Sequence, residues 1–376
     1  MELNTFQRYN SAIMKNAKTA SKKLLVLGAV FLLASCGENS LSWSGSRYYS
    51  MDTWFTVQSS DDGSLKADSS ALEAENDKIG AIFDSVYYCA DGERKHDVVS
   101  VYDVNRATSP IEVSEQLYDL LKLSLKMQEA TDGYFNPLCG NLASLWKKAL
   151  RNIMVDENGY PVTDALGNPI YDPYIPEQGD INACLQEIRN SRIALSEKDG
   201  KKYAYVSIKD DTLGRAKIDL GGIAKGYAVE LANQQFLKDG YKHYLINGGN
   251  SSIAFGQNIA NEGKFRMGWT VDLPGYHVEV KDCIVGTSSM TVQGSEIDGR
   301  LYSHIVNPFT GEASPDITGV TILGKDAGIL DALTTALMWA PEDVRAKLEK
   351  AYDLKAVYYK DKAVVANHDF PLIKND

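Results

Sequence analysis

Lys217-Ile-Asp-Leu-Gly-Gly-Ile-Ala-Lys-Gly-Tyr-Ala-Val-Glu230 places an acid, two adjacent glycines and a lysine within the seven residues from Asp219 to Lys225. The apolar alternation before it predicts a strand over 216–220. Ile223, Tyr227, Val229 and Leu231 after it predict a helix over 223–239, stopped by Gly240. Gly221 and Gly222 let a ligand approach the backbone closely, and the amides of a helix start suit an anion. The stretch reads either as a nucleotide-phosphate site or as a buried salt bridge beside a tight strand-to-helix turn.

Further out, periodicity predicts strands at 51–58, 204–208, 244–246, 269–272, 277–281, 319–323 and 356–359. Helices are predicted at 72–88, 114–131, 180–190, 328–338 and 341–352, with Ser114 placed to cap the second and Gly133 to end it. The strands fall in groups instead of alternating with helices, which favours an α+β fold over a doubly wound sheet. No Pro- or Ser-rich linker divides the chain, so one large domain and two intimately packed lobes are both open. The one break in composition is 155–180, with Asn158-Gly159 and Gly167-Asn168-Pro169. It reads as a surface insertion, a small hairpin excursion between two helical patterns. No short-period repeat stands out.

At the other end, Lys15, Lys18, Lys22 and Lys23 lead into an apolar run, Leu24 to Leu33, and then Leu33-Ala34-Ser35-Cys36. A basic segment, a short apolar run and small residues describe a secretory signal too short to span a bilayer. Its terminal Cys makes it resemble a bacterial lipoprotein signal. Residues 1–36 are then a leader ending at a lipidated Cys36, with Met14 as an alternative start and 37–46 as a polar tether. The expected location is the bacterial cell envelope, lipid-anchored and facing the periplasm. Removing residues 1–35, with five basic side chains and one acid, takes the formal charge from −11 to −15. That argues against electrostatic binding of nucleic acid or an anionic membrane. Cys89, Cys139, Cys184 and Cys283 lie far apart with no His at ligand spacing, so zinc is not expected; buried free thiols are, with one or two disulfides of unassigned pairing the alternative in an oxidising compartment.

Four clusters bear on chemistry. Asp331-Ala-Leu-Thr334-Thr335 sets a carboxylate and a hydroxyl at i and i+4 on one helix face. Such oxygens suit Mg²⁺, which takes few protein ligands; equally, the threonines could bond back to the helix while Asp331 faces solvent. His304, before the turn signal of Asn307-Pro308-Phe-Thr-Gly311, is a general-base candidate or a strand residue bonded to a carbonyl. Asn247-Gly-Gly-Asn250 could wrap a ligand or be a tight turn. Thr287-Ser288-Ser289 could donate hydroxyls to a phosphate or be ordinary loop polarity.

Their order along the chain resembles the ApbE family of FAD:protein FMN transferases. The likeness runs through Met51-Asp-Thr-Trp-Phe-Thr-Val57, Ser100-Val-Tyr102 with Asn105, and Thr131-Asp-Gly-Tyr-Phe-Asn-Pro137 with Leu145-Trp146. It continues through the central Asp219–Ala228 stretch, Asn247–Asn250, Thr287-Ser288, His304–Gly311 and Asp331–Thr335. The resemblance implies an ApbE-like α+β fold of mixed, mainly antiparallel sheets with packed helices over 47–376. It also implies a Mg²⁺-dependent enzyme that splits FAD at its pyrophosphate. FMN would pass to a Thr or Ser hydroxyl of a periplasmic redox protein carrying an Asp- and Ser/Thr-containing motif, releasing AMP. By the same resemblance, Asp331, Thr334, Thr335 and the Gly222 carbonyl are expected at the metal. Met51, Tyr102, Tyr134, Phe135, Asn136, Asp219, Lys225 and Ile305 are expected at FAD. His304 is expected to take the acceptor proton, with Asp331 as the other catalytic group.

The chain departs from the family pattern at Asp52, Asn136, Asn307 and Ser289, standing where Gly, Asp, Asp and Gly are usual. Two other readings remain open at this level: a Mg²⁺-dependent FAD pyrophosphatase, with water in place of the hydroxyl, and a non-enzymatic FAD-binding lipoprotein.

Overall fold

Alternating burial along Thr53–Ser60 and the two-residue turn before it decide how the sheet begins. In the computed structural model, which describes residues 43–262, 266–291, 294–360, 363–367 and 369–375, β1 (Trp43–Ser50) and β2 (Thr53–Ser60) form a hairpin across Met51-Asp52. The leader, Cys36 and the tether up to residue 42 lie outside the described residues. Residues 43–46, expected in the tether, belong to β1, whose register runs from Trp43 opposite Ser60 to Ser50 opposite Thr53. Met51 and Asp52 have φ of 51° and 58°, the backbone of a primed turn. The strand expected at 51–58 therefore starts two residues late.

The elements then follow as α1 (Ser69–Ala90), α2 (Val101–Val104), β3 (Ile111–Val113), α3 (Glu115–Ala130), α4 (Gly140–Leu150), α5 (Gln178–Asn190), β4 (Ser191–Lys198) and β5 (Lys201–Ile208). Next come α6 (Ala224–Lys238), β6 (His243–Gly248), β7 (Ser252–Phe255), β8 (Trp269–Leu273), β9 (Tyr276–Val280), β10 (Cys283–Ser289), β11 (Ser295–Ile297) and β12 (Arg300–Tyr302). The chain ends with β13 (Gly319–Gly324), α7 (Ala327–Leu337), α8 (Glu342–Ala351), β14 (Lys355–Lys360), β15 (Ala363–Ala366) and β16 (Ile373–Lys374). The main sheet has eight strands in the order β1-β2-β6-β7-β10-β13-β14-β15, with every pairing antiparallel. Helices α1, α6 and α7 cover one face, and β16-β9-β8 cover part of the other.

Period-two alternation sorts side chains between these layers. In β10, Ile284 enters the helix-side core and Val285 the opposite one; in β14, Ala356 and Val357 divide the same way. Central β13 is buried on both faces from Gly319 to Leu323. Residues 41–376 form one compact unit with these two cores, so the α+β expectation is met without a division into separate lobes.

The strand expected at 216–220 is not one. Loop and side-chain groups hold that segment instead of a ladder. The Asn105 amide clasps Ile218 from both sides: Nδ2 donates to the Ile218 carbonyl (3.0 Å) and Oδ1 accepts from its N–H (2.7 Å). Gly140 N–H donates to the Lys217 carbonyl, and Asp219 N–H to that of Pro137. Every backbone group so bonded is satisfied without a neighbouring strand, which fixes the approach to the glycine pair.

The insertion contains a repeat that composition concealed. Asp156-Glu-Asn-Gly-Tyr-Pro-Val-Thr163 and Asp164-Ala-Leu-Gly-Asn-Pro-Ile-Tyr171 share Asp-x-x-Gly-x-Pro at an eight-residue period. Each Asp Oδ1 accepts two amides of its own turn, from Asn158 and Tyr160 and from Leu166 and Asn168. Three short segments, 152–156, 160–164 and 168–172, then close on one another. Met154 N–H donates to Ile170 O, Ile170 N–H to Val162 O, and Val162 N–H to Met154 O. A second ring runs Asp156 to Tyr160, Asp164 to Asn168 and Asp172 to Asn152. The hairpin excursion is thus a pseudo-threefold rosette whose two ends meet at Asn152 and Asp172.

Candidate active site at the junction of α6 and α7

Gly226 is the residue on which the two helices meet. A Cβ there would run into the Ala327 carbonyl and come within 2.6 Å of Asp331 Cβ, so only glycine lets α6 and α7 pack this closely. Its N–H donates to Asp331 Oδ2 (3.0 Å), while Ser251 Oγ donates to Oδ1 (3.0 Å). Asp331 is 3% exposed. It has no cationic partner among the described residues, only these two neutral donors. A buried charge compensated so weakly is costly unless a cation joins it.

One turn on, Thr334 and Thr335 part company. Thr334 is fully buried; its Oγ1 donates to the Asp331 carbonyl (3.0 Å) and accepts from Ser288 (3.0 Å). Thr335 Oγ1 also donates to that carbonyl (3.1 Å), but it faces the glycine pair: a Cβ on Gly222 would lie 2.8 Å from it. Both hydroxyls do bond back to the helix, as one sequence reading held, yet Asp331 points into the protein and not to solvent. Among the described residues no three acidic, His or Cys side chains converge on a metal position. The donors that fit a hard cation are the Asp331 carboxylate, the Thr335 hydroxyl and the Gly222 backbone.

The glycine pair sits in a turn tied by its own flanks. Gly221 N–H donates to Asp219 Oδ1 (2.7 Å), and Lys225 Nζ donates to the Gly221 carbonyl (2.7 Å). Asp219 and Lys225 are therefore not ion-paired to each other, and both head groups stay near solvent for a ligand. The Phe135 ring lies against Gly222 from the other side, fully in the core. Tyr134 beside it is half-buried and meets Phe309 edge-on at 5.0 Å. The Asn136 side chain caps its own turn by accepting from Leu138 N–H (3.0 Å). Tyr102 lies under the Arg106 guanidinium, 3.4 Å from ring centre. Met51 is half-buried at the β1–β2 turn, where Asp52 pairs with Arg94 (3.1 Å).

His304 lies within electrostatic range of Asp219 and Lys225. Solvent reaches its ring, but surrounding protein mass and then the Lys225 ammonium lower its pKa to about 4, with Arg151 and Lys147 adding to the effect and Asp219 opposing it. At neutral pH the imidazole is uncharged and able to accept a proton. The segment carrying it is fixed at both ends: Trp146 Nε1 donates to the Gly311 carbonyl (2.8 Å) and its ring stacks on Tyr302. Trp339 Nε1 donates to the Ile305 carbonyl (3.1 Å), which ties that segment to the end of α7.

The structure gathers Asp331, Thr335, Gly222, Lys225, Asp219, Phe135 and His304 around the start of α6. Sequence reasoning missed two of the groups that aim them, Gly226 and Ser251; Ser288, read there as a phosphate donor, instead donates to Thr334. The turn after Asn247 gave the available signal for Ser251, since Gly249 and Asn250 adopt φ of 65° and 64° and deliver it to Asp331. Cys89, Cys139, Cys184 and Cys283 are all free thiols; Cys89 and Cys139 are buried as expected, whereas Cys184 and Cys283 are only partly buried. Among the described residues no helix is long and apolar enough to cross a membrane.

The ApbE family model matches residues 51–358. An FAD:protein FMN transferase of Treponema pallidum is 27% identical over 258 residues, 65% of each chain, and one of Vibrio cholerae is 23% identical over 85% of this chain and 88% of its own. Among solved structures, the ApbE protein of Thermotoga maritima superposes with a TM-score of 0.66 at 23% identity, covering 88% of this chain and 98% of its own. The flavin transferase ApbE of Vibrio cholerae gives 0.64 at 20% identity, over 88% and 98%. With this fold and a family match over most of its length, the chain belongs to the ApbE family.

Proposed function

We propose that this protein transfers FMN from FAD to a Ser or Thr hydroxyl of another protein and releases AMP. The observation that carries the reading is Asp331: a buried carboxylate held by neutral donors only, beside Thr335 and the glycine pair. Asp331, Thr335 and the Gly222 carbonyl would hold Mg²⁺, while Thr334 braces Ser288. Bound there, the ion would neutralise charge on the pyrophosphate and on the departing phosphate.

The chain's own groups supply the rest. Lys225 and the α6 amides bind phosphate oxygens, and Asp219 orients the turn through Gly221. Half-buried Tyr134, with Met51 and Tyr102 further out, offers flat or apolar surface to the ring systems, while Phe135 backs Gly222 from the core. Neutral His304 accepts the proton of the incoming hydroxyl. That oxygen bonds to the FMN phosphorus, the bridging P–O bond breaks, and AMP leaves with the electron pair. Lipid anchoring at Cys36 and a periplasmic acceptor complete the proposal, supported by the leader pattern of residues 1–36.

The test is a mass spectrum of a folded flavin-carrier domain after incubation with residues 37–376, FAD and Mg²⁺. One added FMN per acceptor, abolished by EDTA, is expected. AMP and free FMN without modified acceptor would replace the reading with a pyrophosphatase, and intact FAD with a flavin-binding protein.

A further inference from the structure

We propose that the rosette of residues 152–172, with the Tyr174-Ile175 return, is the docking platform for the protein acceptor; this rests on the transferase reading above. Its first support is unburied apolar surface. Of the nineteen large apolar side chains exposed among the described residues, eight fall within 154–175: Met154, Val155, Tyr160, Leu166, Ile170, Tyr171, Tyr174 and Ile175. Leu166 is 80% exposed and Tyr160 69%. Backbone rings and Asp-nucleated turns hold this module together, not a core, so its apolar groups stay free. A concentrated apolar patch of this kind marks an interaction surface.

The second support is placement. The rosette grows from the end of α4: Asn152 and Asp172 bond to each other, and Tyr174 N–H donates to the Ala149 carbonyl. The same helix end carries Arg151 and Lys147, whose charges reach His304, and Trp146, which pins the His304 segment. The Arg151 guanidinium makes no side-chain hydrogen bond or ion pair among the described residues. A hydroxyl presented to His304 by a folded protein necessarily brings that protein over this rim, where a free nucleotide would not extend.

Charge divides the contact. The rim offers the unpaired Arg151, with Lys147 beside it shared with Glu93 (3.2 Å), whereas 152–175 holds Asp156, Glu157, Asp164 and Asp172 and no basic residue. The complementary partner has an acidic, hydroxyl-bearing segment at the rim and an apolar, neutral-to-basic surface beside it. Aromatic groups such as Tyr160 and Tyr171 are the expected anchors.

Because the rosette's ends adjoin, it can be excised cleanly by joining Asn152 to Asp172 through two glycines. A second variant, Tyr160→Ser with Leu166→Ser and Tyr171→Ser, keeps the rings. Both are compared with the parent on two substrates: a folded flavin-carrier domain with an exposed Asp- and Ser/Thr-containing segment, and a synthetic peptide of that segment alone. The expected result is a KM for the folded domain raised about tenfold or more, with FAD binding and kcat/KM for the peptide unchanged. An unchanged KM for the domain, with parent transfer intact, overturns the docking role alone. Unchanged KM together with a shift from dimer to monomer reassigns the patch to self-association. Failure of the parent to flavinylate either substrate overturns docking and transferase together.

Discussion

Replacing Gly226 by Ala sets two well-understood effects against each other. In an exposed helix the change is stabilising by about 1 kcal/mol, because alanine loses less backbone entropy. Here the new methyl would meet the Ala327 carbonyl and lie 2.6 Å from Asp331 Cβ, both on a helix that cannot rotate out of the way. Overpacking of this kind costs about 1–3 kcal/mol, and contact with backbone puts it at the upper end. The net expectation is destabilisation by about 1–2 kcal/mol, a fall of a few degrees in Tm. Activity should suffer more. Separating α6 from α7 draws the Gly226 amide off Asp331 and Gly222 away from Thr335, and a misplacement of about 1 Å can cost about a hundredfold in rate. Denaturant unfolding and acceptor flavinylation would be measured on Gly226→Ala beside Gly179→Ala, whose added Cβ meets nothing within 4 Å in the first turn of α5. Gly179→Ala should be neutral or slightly stabilising with full activity. If Gly226→Ala behaves the same way, close packing of α6 on α7 is not what positions Asp331.

The acid limb of kcat/KM should fall near pH 4, where His304 protonates, and not near 6.5 as for an unperturbed imidazole; Lys225→Met should move it up and Asp219→Asn down. A limb that neither substitution moves would remove His304 from the proton transfer. EDTA should abolish activity and lower Tm, since it leaves the buried Asp331 carboxylate with only two neutral donors, Gly226 N–H and Ser251 Oγ; an unchanged Tm would mean that no cation compensates Asp331. Asp52→Gly should stabilise by up to about 1 kcal/mol, because φ of 58° suits glycine and the exposed pair with Arg94 contributes little. A loss in urea titration would give that ion pair more weight than its exposure suggests.

Sequence pattern read the buried elements well where a single period dominates. The helices around Ile79, Leu120 and Leu330, and the strands at 204–208 and 319–323, show it plainly. It missed α4, where buried Leu142 and Trp146 are followed at once by Lys147 and Lys148, and β10, whose Gly286-Thr287-Ser288 run lacks a clear alternation. It misread 216–220 because alternation reports one-sided burial, which Ala216, Ile218 and Leu220 do show, and not ladder partners; the Asn105 amide stands in for a strand there. The site residues were legible through their motif order. Their supports were not, since Ser251 reaches Asp331 across 80 residues and Gly226 across 105.

The rosette's closed rings carry one more consequence. An apolar strand array at a protein surface ordinarily invites edge-to-edge aggregation, because its outer backbone groups can recruit another chain. Here the amides and carbonyls of Met154, Val162 and Ile170 are spent on one another, so these groups are closed to another chain. The circle is full at three members and, unlike a solenoid, has no place for a fourth. Stickiness is thereby confined to side chains, which can be exchanged one at a time to change the partner without altering the scaffold or inviting fibres.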